Sequence, residues 1–269
     1  MANIAVPWSI TRAGTIEPWE LQVGRGQISY HTPYFRFGFA NSIGTSQQTV
    51  TSSVAAGTTY VYPTTAAAMK VSSGSANDAA AGTGARTILV AGLDANYARI
   101  SEVVTLNGQT QVTTTNSFLR VLYTEILTVG SGAAQAGIIY VGTGSATAGV
   151  PSTVYWQSEV SYNNFAFAGY TVPAGYTAYV TSYTLTSQST TTLINVSCAL
   201  VVYEYGQGFA EIQSTARLTS NGNFDRHFDF PIAISEKCDF ELRAWATTGS
   251  VVNVTGEIQF LLIKNDTQS

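Results

Sequence analysis

Hydrophobic and polar positions along this chain alternate in short runs, and no stretch sustains the helical period of 3.6 residues. Between Ala85 and Gly142 the runs ARTILVAG, ARISEVVTL, FLRVLYTEILTV and AGIIYVG are separated by LDANY, LNGQ and VGSGAAQ. Apolar and β-branched residues in the runs, with Gly, Asn, Asp and Ser between them, predict strands joined by tight turns. Within SEVVTLNG, Glu102, Val104 and Leu106 share one face while Ser101, Val103 and Thr105 share the other, so part of this strand is expected to be covered on both sides. From Thr153 onward the same pattern gives TVYWQSEV, FAFAGYTV, TAYVTSYTLTS, TTLINVSCALVVYE, AEIQSTARL, FDRHFDFPIAI, DFELRAWAT and VVNVTGEIQFLLIK. Successive strands with no helix long enough to cross over predict an all-β chain, with an antiparallel jelly roll or similar sandwich in its second half.

The first 40 residues break the pattern. They hold Trp8 and Trp19 together with Tyr34, Phe35 and Phe37, without sustained alternation. We expect an extended aromatic arm with short strands over residues 1–40, anchored through these side chains to its own domain or to a neighbour. Burial at roughly 25 cal/mol per Å² favours such docking over leaving the arm in water. Residues 41–70 are small and polar, with QTVTSSV and TTYVYP as possible edge strands; Pro63 ends the second because it removes a ladder donor. Residues 129–158 carry no charge and include Pro151, so GTGSATAGVPST is expected to link a β-sandwich-like domain over 41–150 to a jelly-roll-like sandwich over 151–269.

Charged residues make up only 10% of the 269 residues, against about 25% in ordinary globular chains. A surface so poor in charge suits a subunit whose faces are covered by neighbours. The net charge of −4, with Lys70, Lys237 and Lys264 the only lysines, argues against a nucleic-acid partner. No apolar run approaches the roughly 18 residues of a membrane span, and the amino terminus lacks a secretory pattern, so no membrane partner and synthesis in a cytoplasm are expected. Cys198 and Cys238 are expected to be a reduced, buried pair, with a disulfide as the alternative.

The segments SANDAAAGTGARTI, GLDANY, VTLNG and TTNSFLRV, spread over Val71–Gly144, resemble a module of virion structural proteins from tailed phages, many of them aquatic. RGQISYHTPYFRFGF and TVPAGYTAYVTSYTL resemble a leader and an entry strand of the same proteins, with Tyr34, Phe35 and Tyr176 departing from the usual residues. The module covers about a quarter of the chain. The resemblance implies a virion component, made in the host cytoplasm and assembled on the particle.

Candidate chemistry is sparse. Asp225, His227 and Asp229 fall on one face of a strand and could hold a divalent cation, but a solvent-facing strand explains them as well. Gly82-Thr83-Gly84-Ala85-Arg86 precedes a strand instead of opening a helix, so it reads as a turn and not a phosphate loop. His31 and His227 are the only histidines. No spacing singles out two of Glu102, Glu125, Glu159, Glu204 and Glu211 as a glycosidase pair. We expect no catalytic residues, no cofactor and no metal. The tyrosines of the second half, Tyr155, Tyr162, Tyr170 and Tyr176 among them, are candidates for a glycan or subunit interface. The reading that follows is a capsid decoration or cement protein, trimeric by analogy and bound to the major capsid protein. A tail or head fibre that contacts host glycans is the alternative.

Overall fold

The computed structural model describes residues 17–160, 164–189, 195–219, 221–247 and 252–265. Trp8 and Tyr162 therefore lie outside the described residues. The first element among the described residues is a short helix α1 (Trp19–Gly24), then β1 (His31–Ile43) and β2 (Gln48–Thr49). There follow β3 (Ala67–Ser73), β4 (Ala85–Leu93), β5 (Arg99–Thr105), β6 (Val112–Phe118), β7 (Arg120–Val129), β8 (Ile139–Thr147), β9 (Val150–Glu159) and β10 (Asn164–Phe165). The last group is β11 (Gly169–Thr171), β12 (Tyr176–Gln188), β13 (Asn195–Tyr203), β14 (Ala210–Thr219), β15 (Asn223–Ile234), β16 (Asp239–Ala246) and β17 (Val252–Lys264). The protein is all-β, as the alternation predicts, and its sheets are antiparallel.

Two sandwiches result. In the first, the sheet β10-β9-β8-β3-β6 faces the sheet β5-β4-β7. Met69, Val71, Ile88, Val90, Val104, Leu106, Phe118, Ile139, Val141 and Trp156 fill the space between them. The buried indole of Trp156 donates to Thr124 Oγ1 at 3.0 Å, which satisfies its one polar atom. In the second, β1-β17-β12-β15 faces β11-β16-β13-β14, with β2 also paired to β16. Counting β2 and β11 as two halves of one strand, chain order places strands one, eight, three and six in one sheet. Strands two, seven, four and five form the other. That is the strand order of a jelly roll.

The split strand explains how the two sandwiches are joined. β2 pairs with Arg243 and Ala244, and β11 pairs with Asp239 to Glu241, so both halves lie along β16. Between them Val50 N donates to Leu242 O, Ala168 N to Val50 O and Leu242 N to Ala168 O. The chain leaves at Thr51 and returns at Phe167, which form an antiparallel bridge. The whole first sandwich is thus an insertion into one strand of the jelly roll.

This arrangement corrects two expectations. The stretch 31–40 is no arm: it belongs to β1, paired to β17 from His31↔Ile263 to Ala40↔Val254. Its inward face is Tyr34, Arg36, Gly38 and Ala40, which disguises a strand because only half of it is apolar. GTGSATAGVPST is no linker either. It is the hairpin of β8 and β9, closed at Thr147↔Val150 by Ala148 and Gly149 with φ of 50° and 84°. Positive φ at both central residues matches the twist of the flanking strands, and the charge-free sequence reflects a tight turn. The sandwich boundaries lie instead near residues 51 and 167.

The Ser75–Arg86 segment wraps a buried carboxylate. Asp78 is fully buried. It accepts hydrogen bonds from Ser73 Oγ (2.6 Å), Ala85 N (2.7 Å), Ala136 N (2.8 Å) and Gly137 N (2.9 Å). Its own carbonyl accepts from Gly108 N at 2.7 Å. At Gly84 a Cβ would stand 2.1 Å from Asp78 Oδ1, so only glycine lets the loop close around the acid. The glycine-rich turn is already filled by the protein's own carboxylate.

Cys198 and Cys238 are both free and buried. The β13–β16 register sets Cys198 opposite Ala244 and Tyr203 opposite Asp239, which places the two sulfurs towards opposite ends of the strand pair. Burial pushes the Cys198 thiol up to about 12 and raises Cys238 as well. The reactive thiolate is therefore scarce at neutral pH. An aromatic disulfide reagent is expected to label neither cysteine in native buffer and both in denaturant; rapid native labelling of either would contradict this packing.

Candidate assembly surface

The outer face of the sheet β1-β17-β12-β15 carries exposed large apolar side chains beside β1 and on β15. Strand alternation turns Tyr34, Arg36 and Ala40 inward and leaves Pro33, Phe35 and Phe37 outward. Phe35 is 50% exposed. Helix α1 lies beside this strand. Pro18 supplies the carbonyl for Leu21 N and Gln22 N, both at 3.1 Å, and Val23 is buried beneath the turn. That leaves Trp19 (43% exposed) and Leu21 (51%) pointing out. Trp19 meets His31 edge-on with ring centroids 6.0 Å apart. Trp19, Val23, Pro33, Phe35, Phe228 and Leu261 are among the residues around a cleft of 660 Å³ on this face.

Next to the cleft, β15 departs from regular pairing. Val180 pairs with Ile232 but Ser182 pairs with His227, so Phe228, Asp229, Phe230 and Pro231 all stand opposite Thr181. The bulge blunts the free edge of the sheet, helped by a proline that cannot donate. It also lifts Phe230 to 90% exposure, the highest of any large hydrophobic side chain among the described residues. The sequence signal for this was Pro231 inside an otherwise continuous strand run, which marks a bulge.

The structure brings together some of the expected contact residues and separates others. Trp19 and Phe35 share the outer apolar face, and Phe37 is half-buried on the same strand. Tyr34 points inward, stacked on Phe260 at 5.4 Å and tilted against Tyr170 at 5.3 Å. Of the tyrosines considered for an interface, Tyr170 is buried, Tyr155 packs on the first core and Tyr176 on the second. Arg99 lies over the Tyr176 ring at 4.6 Å. Tyr170 is thus closed to a partner, whereas Tyr155 and Tyr176 are partly buried and keep some exposed surface.

A second set of residues holds the sandwiches to each other. Arg120 of β7 donates from Nε to Asp239 Oδ1 (2.9 Å) and from Nη2 to Asp239 Oδ2 (2.8 Å). Its Nη1 reaches the carbonyls of Pro63 and Leu119. Both side chains are more than nine-tenths buried. Thr171 also donates to Asp239. Arg120 sits over the rings of Tyr62 (5.1 Å) and Tyr97 (5.7 Å), and Tyr97 O accepts from Ala174 N across the same seam at 3.0 Å. Beside this pair, buried Glu241 accepts from Arg243 Nε (2.7 Å), Tyr62 OH (3.0 Å) and Thr49 Oγ1 (3.1 Å). Tyr62, Tyr97, Tyr203, Tyr205, Lys237 and Asp239 line part of a second cleft of 510 Å³ at the seam.

Asp225, His227 and Asp229 are exposed on β15, where Asp225 accepts from Thr184 Oγ1. Among the described residues no group of three or more His, Cys, Asp or Glu is placed to hold a metal ion, and no helix is long and apolar enough to cross a membrane. His31 is partly exposed and bonded to Ser29 O.

The fold thus defines a class, a jelly roll carrying an inserted sandwich. No family model matches the chain, and no curated protein matches it. Solved structures of infectious bursal disease virus resemble it distantly. For the Gx strain the identity is 9%, with 88% of this chain and 72% of that chain covered at a TM-score of 0.21. For the VP2 subviral particle the identity is 11%, with coverage of 88% and 82% at a TM-score of 0.18.

Proposed function

We propose that this chain is a non-catalytic structural subunit of a tailed-phage particle, most concretely a capsid decoration or cement protein. It uses the exposed apolar face of the jelly roll to dock on neighbouring virion subunits, the major capsid protein foremost, as part of a homotrimer. The observation that carries the reading is that face: Trp19, Leu21, Phe35 and Phe230 stand exposed on it, with Trp19 and Phe35 at the rim of a cleft that Glu20 and His227 also border. Large exposed aromatics beside an apolar cleft have the composition of an interface core. Repetition over a symmetric shell multiplies modest contacts into stable attachment.

Phe230→Asp tests it. The side chain is almost wholly in solvent, so thermal stability is expected to stay within about 0.5 kcal/mol of the parent. An interface anchor of at least ~2 kcal/mol corresponds to roughly 30-fold weaker attachment. Quantitative mass spectrometry of purified particles is therefore expected to show the variant lost from virions that carry the parent in hundreds of copies. Incorporation at the parental copy number would overturn the docking role of this face.

A second reading, a fibre that binds host glycans, draws on the cleft at the seam, where Tyr97 and Tyr205 meet at 5.6 Å and Lys237 covers the Tyr205 ring. Aromatic faces with polar groups around them suit sugar rings. Copy numbers in the tens and blockade of adsorption by soluble protein would favour this reading over cementing.

A further inference from the structure

A third concavity lies where β1 and β11 of the jelly roll meet β4, β5 and β7 of the inserted sandwich. It has a volume of 220 Å³, and Tyr34, Arg36, Arg99, Tyr123 and Tyr170 supply its polar lining. Arg36 comes from β1 and Arg99 from β5, so each sandwich contributes one guanidinium. Among the described residues the ion pairs are Arg25–Glu17, Arg120–Asp239 and Arg243–Glu241. Among the described residues neither Arg36 nor Arg99 has a carboxylate partner. The Nε of Arg36 is buried and hydrogen-bonded to nothing.

Both guanidiniums are held by ring faces instead. Arg36 lies over Tyr34 at 5.8 Å and Tyr170 at 5.4 Å, and Arg99 lies over Tyr176 at 4.6 Å. Stacking leaves in-plane N–H donors of Arg36 available to a ligand, whereas Arg99 also makes a side-chain hydrogen bond with Tyr170. Burial pulls the Arg36 guanidinium below its ordinary value, while the hydroxyls of Tyr170, Tyr34 and Tyr123 act the other way. Burial likewise raises Tyr170 strongly, so its hydroxyl stays neutral and offers no negative charge. Arginine does not give up its proton in proteins. Two cations therefore border one small cavity: Arg99 is exposed to solvent, whereas Arg36 has a buried, unsatisfied Nε and, among the described residues, no carboxylate to offset its desolvation.

The geometry points to this cavity as a binding site for a small oxyanion, a carboxylate, sulfate or phosphate group, gripped by Arg36 and Arg99 from opposite sandwiches. Planar guanidiniums match the paired oxygens of such groups. The volume admits a free ion or the acid group of one sugar, and not an extended chain. Because the ligand touches both sandwiches, its binding stabilises the seam between them. The inference does not rest on the proposed virion role.

The full-length protein is melted in chloride buffer and with added inorganic phosphate, acetate or glucuronate at matched ionic strength. A saturable rise in the midpoint of about 2–5 °C is expected for at least one oxyanion. Arg36→Met and Arg99→Gln should abolish that rise. In chloride alone Arg36→Met should be no less stable than the parent, since it removes an unpaired buried charge. Phosphate and acetate identify a site for free ions, whereas a response to glucuronate alone identifies a sugar acid. Phosphate also stabilises proteins generally through exclusion from their surface. An equal, non-saturating rise in the parent and both variants would overturn the site. Should Arg36→Met fail to fold, titration calorimetry of phosphate, acetate and glucuronate into the parent and Arg99→Gln decides the matter, and no heat with any of them in the parent refutes it.

Discussion

Asp78→Ala is expected to cost about 4 kcal/mol of stability, which lowers the melting midpoint by roughly 10 °C. The carboxylate is fully buried and takes hydrogen bonds from one hydroxyl and three backbone amides contributed by β3, the start of β4 and the turn before β8. Alanine leaves those amides without partners in a place water does not reach. Asp78→Asn discriminates the cause. Its carbonyl oxygen can still serve Ala85 N and Ala136 N, but its amide nitrogen would confront Gly137 N, donor against donor. About half of the loss should return. Urea unfolding of the three proteins checks the order, and an alanine variant within about 1 kcal/mol of the parent would show that the loop holds without the acid.

Breaking the Arg120–Asp239 pair is expected to be as damaging. Removing one partner of a buried, bidentate ion pair costs about 3–5 kcal/mol, because the other charge is left uncompensated. Arg120→Ala and Asp239→Ala should each show this loss. The double replacement Arg120→Met with Asp239→Leu should recover most of it, since no charge then remains in the seam. The pair joins two cores, so Arg120→Ala should also lower the ratio of van't Hoff to calorimetric enthalpy as the sandwiches begin to melt apart. Single variants that melt like the parent would mean that the seam is held by its aromatic contacts alone.

Local chemistry was legible in the sequence and long-range pairing was not. ARTILVAG, AEIQSTARL and DFELRAWAT became β4, β14 and β16 nearly as written, because alternation and turn residues act over a few positions. β6 was missed: VTTTNSF is polar along much of its length and is held partly by Glu102, which accepts from Thr115 N and Asn116 N at 2.8 Å. β1 is hidden in the sequence because its partner, β17, lies more than 200 residues on and nothing near His31 signals Ile263. The insertion was hidden for the same reason, since Thr51 and Phe167 meet only in space. Of the exposed apolar side chains, Trp19 and Phe35 could be named from the aromatic leader, whereas the exposure of Phe230 follows from the register slip on β15. Arg120 left one trace, a lone cation in the apolar run FLRVLY, but its partner Asp239 lies 119 residues on.

The split strand also sets an order of folding. β16 cannot acquire its full neighbour along Asp239 to Ala244 until residues 168–171 return beside 48–50. While the inserted sandwich is unfolded, that return requires closing a long, flexible loop, whose entropy opposes the encounter. Once the insert has formed, its ends emerge side by side and the closure is nearly complete. The split strand is therefore expected to dock after the insert has formed, so substitutions in the first core should slow completion of the second in refolding experiments.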